Sequence, residues 1–276
     1  MNWKIPVSVA AGALALSAVL ATTVSAQTDH HVSTTTAATT TAAHQAKPTI
    51  VLVAGAFEDS SSWSGEVTQL ERDGYPVIAP AVPLRGVASD AAYLTGIVRS
   101  ITGPVVLVGH SYGGNVITEI AAQDPQQVKA LVYTAAFIPQ AGESAGQLLA
   151  QFPGSLLGPD STYTVPEPDG VTDTYVKPTS FRALFAGDRS ATDAAVDAAT
   201  QRPINSSALG EPAAASLPTG VPVYAIVAGQ DKAIPPAAEK WEAQRAHATI
   251  TTVNSAHDLP TSHPTQVTQV IEHAAR

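Results

Sequence analysis

The sequence predicts an α/β fold: a mainly parallel sheet flanked by helices, with a helical cap inserted in the second half of the chain. Three observations predict it. Short, continuous runs of apolar, β-branched residues recur along the chain, as strands buried on both faces require. Stretches of helical length and period separate them, which is the alternation of a parallel sheet. One long stretch, roughly 139–218, breaks the rhythm with many Pro and Gly and no strong buried strand.

The first strand is Thr49-Ile50-Val51-Leu52-Val53, ending at Ala54-Gly55. Ser61 to Asp73 fits a helix, with Ser and Asp available to cap its start and Gly74 after its end. Val77-Ile78-Ala79 is a short second strand stopped by Pro80, and Ser89 to Ile101 a second helix. Val105 to Val108 is another buried strand. It leads into Gly113-Gly114 and a helix bearing Val116, Ile117, Ile120 and Ala121, which ends near Pro125. Ala130 to Ala135 is a strand. After the inserted stretch come a strand (Val221 to Val227), a helix (Pro236 to Ala246), a strand (Thr249 to Val253) and a last helix (Thr265 to Ala275). A structureless loop as long as 139–218 is implausible in a compact domain. The stretch is therefore expected to carry its own helices and to fold over the carboxyl ends of the strands, where such sheets bind ligands.

The chain ahead of this domain reads differently. Met1-Asn2-Trp3-Lys4 precedes an apolar run from Val7 to Leu20 and the small residues Val24-Ser25-Ala26. That layout predicts a secretory signal over 1–26, and hence a secreted or periplasmic protein with no stable membrane association after cleavage. An uncleaved membrane anchor is the rival reading, since the apolar run is about long enough to span a bilayer. Residues 27–47, largely Thr and Ala, are expected to be a disordered linker. His30, His31 and His44 fall there and read as solvated tail residues, so no metal is expected. Residues 48–276 form the predicted domain. The chain has no cysteine, which excludes disulfides and a lipid-modified Cys. Its formal net charge is −9 with no basic cluster, which argues against a nucleic-acid partner.

The chemistry is carried by three short segments. Gly109-His110-Ser111-Tyr112-Gly113 matches G-x-S-x-G between a buried strand and a helix, the context of a nucleophile elbow. The turn is so tight that side chains at the two glycines would collide. The helix that follows aims its amino terminus at the site and favours developing negative charge. A serine needs a base. Asn254-Ser255-Ala256-His257 follows the last strand and places His257 at the same sheet edge; His263 is the competitor, set further from the strand end. The base needs an anion to hold its tautomer. Gly229-Gln230-Asp231 follows the Val221–Val227 strand, and the alternative role for Asp231 is to cap the next helix. An oxyanion hole needs two backbone N–H groups. Tyr112, after the nucleophile, and Ala56, after the first strand, are the expected donors.

These segments together resemble the methylesterase and hydroxynitrile lyase-like branch of the α/β-hydrolase superfamily, with its bacterial esterase relatives. The resemblance runs from about Pro48 to the end. It is carried by Val51 to Phe57, Gly109 to Gly114, Ala135-Ala136-Phe137-Ile138-Pro139, Asp231 to Pro235 and Ser255-Ala256-His257, in the chain order Ser, Asp, His. It implies the α/β-hydrolase fold with a helical cap, no cofactor, and small-molecule carboxylic esters as substrates. Two positions depart from the branch. Ala54 stands where a His usually braces the oxyanion loop. Asp258 stands where lyase members carry a Lys beside the catalytic His.

The expected activity is ester hydrolysis through an acyl-enzyme. A lyase on the same scaffold and a non-catalytic small-molecule binding protein are the alternatives. Phe152, Tyr163, Phe181 and Phe185 read first as cap core and second as pocket lining. Glu143 reads as a solvated charge, and Lys232 as pointing away from the site. Oligomeric state is not legible in the sequence.

Overall fold

A computed structural model describes residues 47–168 and 170–276. The expected signal, 1–26, and all of the expected linker except Lys47 lie outside the described residues.

The chain opens with β1 (Thr49–Val53), α1 (Ser64–Arg72), β2 (Val77–Ile78), α2 (Val87–Arg99), β3 (Val105–Ser111), α3 (Gly113–Gln123) and β4 (Val128–Ala136). The inserted stretch carries α4 (Ala145–Ala150), β5 (Thr162–Pro166), β6 (Thr172–Val176), α5 (Pro178–Leu184), α6 (Ala191–Thr200) and β7 (Ile204–Asn205). The chain then returns through β8 (Val223–Ala228), α7 (Pro236–Arg245), β9 (Thr249–Val253), α8 (Leu259–Ser262) and α9 (Pro264–Ala274).

Six strands form the main sheet in the order β2-β1-β3-β4-β8-β9, and every pairing in it is parallel. Every residue of β1 and β3 is buried, so these central strands are covered on both faces, as their unbroken apolar runs require. Helix α1 packs on α9, α2 packs on α3, and α7 lies against β8 and β9. Local chemistry sets the helix ends. Asp59 accepts from the Ser61 N–H and starts a 3-10 turn, Ser60–Trp63, that feeds α1. Gly74, at φ +80°, follows the end of α1 in the left-handed conformation. α7 and α9 begin at Pro236 and Pro264, the first helical position where a missing N–H is harmless.

The cap carries the helices expected of it and one element that the sequence did not announce. Between β4 and β8 the chain builds three helices and also a three-stranded antiparallel sheet, ordered β5-β6-β7. The reason lies in what these strands face. β5 has no buried residue, so it never needed the continuous apolar run by which buried strands are recognised. Its Thr, Tyr and Val are nonetheless strand formers. Tyr163 stacks on Tyr175 across the pair at 5.2 Å.

The cap is tied to the rest of the domain by a few directed bonds. Arg85 donates to both carboxylate oxygens of Asp173 on β6, at 2.7 and 3.3 Å. Glu211 accepts from Val87 and Ala88 N–H at the start of α2, and Glu119 accepts from Ala214 and Ala215 N–H. Glu143, expected to be solvated, instead accepts from Arg245 at 2.6 Å and caps the Gln140 N–H.

Candidate active site

Ser111 is the last residue of β3, at φ +52°. A left-handed, non-glycine backbone costs about 1–2 kcal/mol and persists only where its surroundings over-determine it. Here they do. A Cβ on Gly109 would stand 2.7 Å from the Gly113 carbonyl oxygen, one on Gly113 2.5 Å from the Val53 carbonyl oxygen, and one on Gly114 2.2 Å from that of Phe137. The turn closes only because these side chains are absent. The pairing of β3 with β4 shifts register between His110 and Ser111, so that Ser111 pairs with Ala136 and Ala135 is skipped just before the helix begins.

Two other strand ends deliver the partners. Asp231 sits in the turn after β8, with the Gly229 and Gln230 N–H groups bonded to carbonyls of Val253 and Ser255 beside β9. Its Oδ1 accepts from the N–H groups of Ala233 and Ile234 at 2.6 and 2.8 Å. Its Oδ2 accepts from His257 Nδ1 at 2.5 Å. With Nδ1 carrying the proton, His257 Nε2 accepts from the Ser111 hydroxyl at 2.9 Å. Asp231 and His257 are buried and Ser111 is 6% exposed. Behind Asp231 lies Glu239, whose Oε2 accepts from the Ala228 N–H. Burial and then the neighbouring Asp231 charge push the Glu239 carboxyl well above its ordinary range.

The loop after β1 runs directly against Ser111. A Cβ on Gly55 would stand 2.8 Å from Ser111 Cβ, so only glycine lets this backbone pass. Ala56 follows, buried, and Phe57 adopts φ +66°. On the other side Tyr112 is fully buried, and its hydroxyl donates to Asp90 at 2.9 Å, fixing the first turn of α3. Tyr112 is next to Ser111 in the chain, and Ala56 follows the glycine that packs against it.

The cap closes over His257 through Phe185. The Phe185 ring meets the imidazole edge-on at 4.8 Å, stacks on Phe181 at 5.1 Å and meets Phe57 edge-on at 5.7 Å. Its carbonyl accepts from the Asp258 N–H. Phe181 is thus both core and lining and Phe185 is core, whereas Phe152 packs on Trp241 and Tyr163 is exposed. A cavity of about 90 Å³ lies alongside, lined by Phe57, Glu58, Phe181 and Asp258 among others.

The other sequence candidates fall elsewhere. His263 lies beside Ser262 and Asp188, not beside Ser111. Lys232 is exposed. Asp258 is neither in solvent nor facing the serine: it is buried beside Arg189 Nη1, at 3.2 Å. Burial, with the nearby Glu58 charge, pushes its carboxyl up to about 7. Among the described residues no group of three or more His, Cys, Asp or Glu is arranged to hold a metal ion.

Sequence reasoning missed one pair at the site. His110, the variable residue inside the G-x-S-x-G motif, is fully buried. Its Nδ1 contacts Glu58 Oε2 at 2.8 Å, and its Nε2 donates to the His257 carbonyl at 2.9 Å. Burial alone would favour the neutral forms, but each holds the other charged: His110 is raised to about 9 and Glu58 is lowered. A His inside the motif was the available signal; Glu58 carried none.

Residues 50–270 match the model of the Alpha/beta hydrolase family. The carbendazim hydrolyzing esterase of Nocardioides sp. is 32% identical over 111 residues, covering 36% of this chain and 46% of that protein. A Phoma sp. protein named probable hydrolase R7 is 31% identical over 124 residues, covering 40% and 51%. The matched segments thus span about half the length of these relatives. The crystal structure of polyneuridine aldehyde esterase shares the fold, with a TM-score of 0.72 at 20% identity over 83% of this chain and 100% of that one.

Proposed function

The chain belongs to the alpha/beta hydrolase family, and on that premise we propose that it hydrolyses small carboxylic esters through Ser111, His257 and Asp231. One observation carries the reading: a hydroxyl, an imidazole and a carboxylate from three separate loops meet in one hydrogen-bonded line at 2.9 and 2.5 Å. The carbendazim hydrolyzing esterase among the relatives supports the choice of ester hydrolysis.

In this mechanism His257 Nε2 takes the Ser111 proton as Oγ attacks the ester carbonyl carbon. Asp231 holds the tautomer that leaves Nε2 free to accept and stabilises the imidazolium that forms. The N–H groups of Ala56 and Tyr112 are assigned to the developing oxyanion, aided by the amino terminus of α3. His257 then returns the proton to the departing alkoxide. In the second half-reaction water, deprotonated by His257, attacks the acyl-enzyme and releases the acid and Ser111. Asp258, the residue after the base, is an acid paired with Arg189 and does not supply the cation that lyase members carry at that position.

The test is Ser111→Ala with a panel of short activated and natural esters. Turnover falls by about a thousandfold or more, because the three groups act as a unit. A phosphonate probe labels the wild type and not the variant. Labelling of another serine, or turnover that survives the substitution, would falsify the assignment. We also propose export, on the leader-like segment 1–26. Intact mass of protein expressed with its own leader then begins at Gln27; a membrane-bound mass that includes Met1 favours an anchor.

A further inference from the structure

We propose that Glu58 and His110 form a buried, charged brace that positions both the oxyanion loop and the base loop on the nucleophile's strand. The catalytic role it serves rests on the ester-hydrolase reading above; the brace itself rests on geometry alone.

Three chain segments must hold fixed places for the site to work. The elbow is one, the loop after β1 is the second, and the loop carrying His257 is the third. Each lies at the end of a strand, and two of them contain strained residues, Phe57 at φ +66° and Ser111 at φ +52°. Strain of that kind relaxes unless something opposes it. A single imidazole touches all three segments. His110 belongs to the elbow by covalent bond, reaches the loop after β1 through Glu58, and reaches the base loop through the His257 carbonyl. Glu58 immediately follows strained Phe57, and His110 immediately precedes strained Ser111. The bond between them therefore joins the two strained turns.

The protonation of the pair follows from its partners. The His257 carbonyl can only accept, so His110 Nε2 must carry a hydrogen. A proton also lies between Nδ1 and Glu58, and it stays there through neutral pH, since Glu58 holds His110 up to about 9. Above that pH the Nδ1 lone pair faces an ionised carboxylate at 2.8 Å. The brace then becomes a repulsion, and the loop carrying Ala56 is pushed off the nucleophile. The other charged or titratable groups around His110 are known. His257 lies 4.8 Å away ring to ring and is itself bonded to Asp231. Asp258 acts on His110 by charge and is paired with Arg189, and Glu66 on α1 senses His110 through its own charge. Only Glu58 shares a proton with His110. Removing its charge also relieves Asp258 and Glu66, whose carboxyls it raises, but both lie lower, at about 7 and 8, so the limb near 9 reports on the pair.

Glu58→Gln keeps the size and one hydrogen bond but cannot present a carboxylate. The Gln amide can donate to an unprotonated Nδ1, so no repulsion develops when His110 loses its proton. The experiment follows kcat and KM for a small activated ester from pH 6 to 10.5. Ser111→Ala serves as the blank, and thermal unfolding of each variant checks the fold. The wild type shows kcat falling as pH rises through about 9, with KM little changed. In Glu58→Gln that fall is lost, and kcat at neutral pH is lower by less than about tenfold, because a neutral hydrogen bond replaces the charge-assisted one. An alkaline limb equal in the two proteins overturns the brace. Wild-type turnover equal to the Ser111→Ala blank instead overturns the proposed function. The brace is then decided by imidazole NMR of the wild type, which also serves if Glu58→Gln fails to fold. Both ring nitrogens of His110 protonated at pH 8 support the pair, and a deprotonated Nδ1 at that pH overturns it.

Discussion

Two sheets in this molecule follow different physical rules. In the parallel sheet, β1 and β3 are buried along their whole length, and neighbouring backbones approach so closely that no Cβ fits at Gly109, Gly113 or Gly114. In the cap, β5 has no buried residue, and Gly158 and Gly170 have no atom within 4 Å of where a Cβ would be. The first sheet holds its geometry by exclusion, since close-packed backbone has one arrangement. The second is held by directed bonds such as Arg85 to Asp173. Ser111, Asp231 and His257 lie at the strand ends of the first, whereas the cap contributes Phe181, Asp197 and Thr200, from its helices, to the cavity beside them. That division suits a reaction whose chemistry is fixed and whose substrate range is set by a replaceable cover.

The sharpest way to break this comparison is at Asp231, where the close-packed region meets the chemistry. Asp231→Asn is nearly isosteric, and the N–H groups of Ala233 and Ile234 decide its orientation. Both donate to Oδ1, so the Asn carbonyl takes that place and its NH2 group faces His257 Nδ1. Nδ1 must then accept, and the proton moves to Nε2, which can no longer take one from Ser111. We expect kcat/KM at pH 7 to fall by about four orders of magnitude with the fold intact. A loss under tenfold, measured on the same esters, would show that another carboxylate supplies the anion.

A backbone test comes next. Gly114→Ala sets a methyl group 2.2 Å from the Phe137 carbonyl oxygen and 3.1 Å from Ala136 Cβ. Neither neighbour is a flexible side chain that can swing away. The elbow must open, and we expect a loss of about 3 kcal/mol or more in urea unfolding. A variant as stable as the wild type would show that this turn yields more easily than its packing implies.

Burial in the main domain also leaves an electrostatic mark. Glu66 on α1 is fully buried, and neither carboxyl oxygen has a partner among the described residues. Burial pushes its carboxyl up to about 8. The folded state thus binds this proton more tightly than the unfolded state. Stability from this group is fully present below about pH 4.5 and is lost as pH rises through 8. Glu66→Gln removes the titration, so its unfolding free energy between pH 5 and 8 should be flatter than that of the wild type. Relative to pH 5, the variant should gain on the order of 1–3 kcal/mol by pH 8. Parallel pH curves for the two proteins would place Glu66 in contact with water.

The same contrast explains what was legible in the sequence. β1 and β3 stood out because strands covered on both faces must be apolar throughout, and β9 was bounded to the residue. The elbow was legible because it follows such a strand and because the glycines around Ser111 mark backbone crowding. The loop with His257 follows β9, where three of five residues are exposed, and that strand showed through its β-branched Thr, Ile and Val. β5 and β6 were not legible, because a half-exposed strand of Thr, Tyr and Asp has no apolar run to show. The burial of Glu58 and Asp258 was also hidden. An acid beside a turn reads as solvated until the fold brings a His or an Arg against it, and those partners lie 52 and 69 residues away in sequence.

The smallest effect belongs to the cap, and it is the counterpart of Gly114. Gly158 lies outside the positive-φ region, and nothing stands within 4 Å of its Cβ position. Its carbonyl accepts from the Ser161 and Thr162 N–H groups and its N–H donates to the Ser161 hydroxyl, so its backbone is already anchored without its side chain. Gly158→Ala keeps each of these bonds. It adds a methyl group in open space and narrows the conformations of the unfolded chain, which favours folding by about 0.4–1 kcal/mol at a compatible position. We therefore expect the urea midpoint to stay level or rise slightly, and turnover of small esters to be unchanged. The comparison with Gly114→Ala is the point of the measurement. Both substitutions add one methyl group, so the difference between them reads out the space around each backbone. If Gly158→Ala destabilised the protein as much as Gly114→Ala, the cap would be close-packed in solution, and the two sheets would obey one rule.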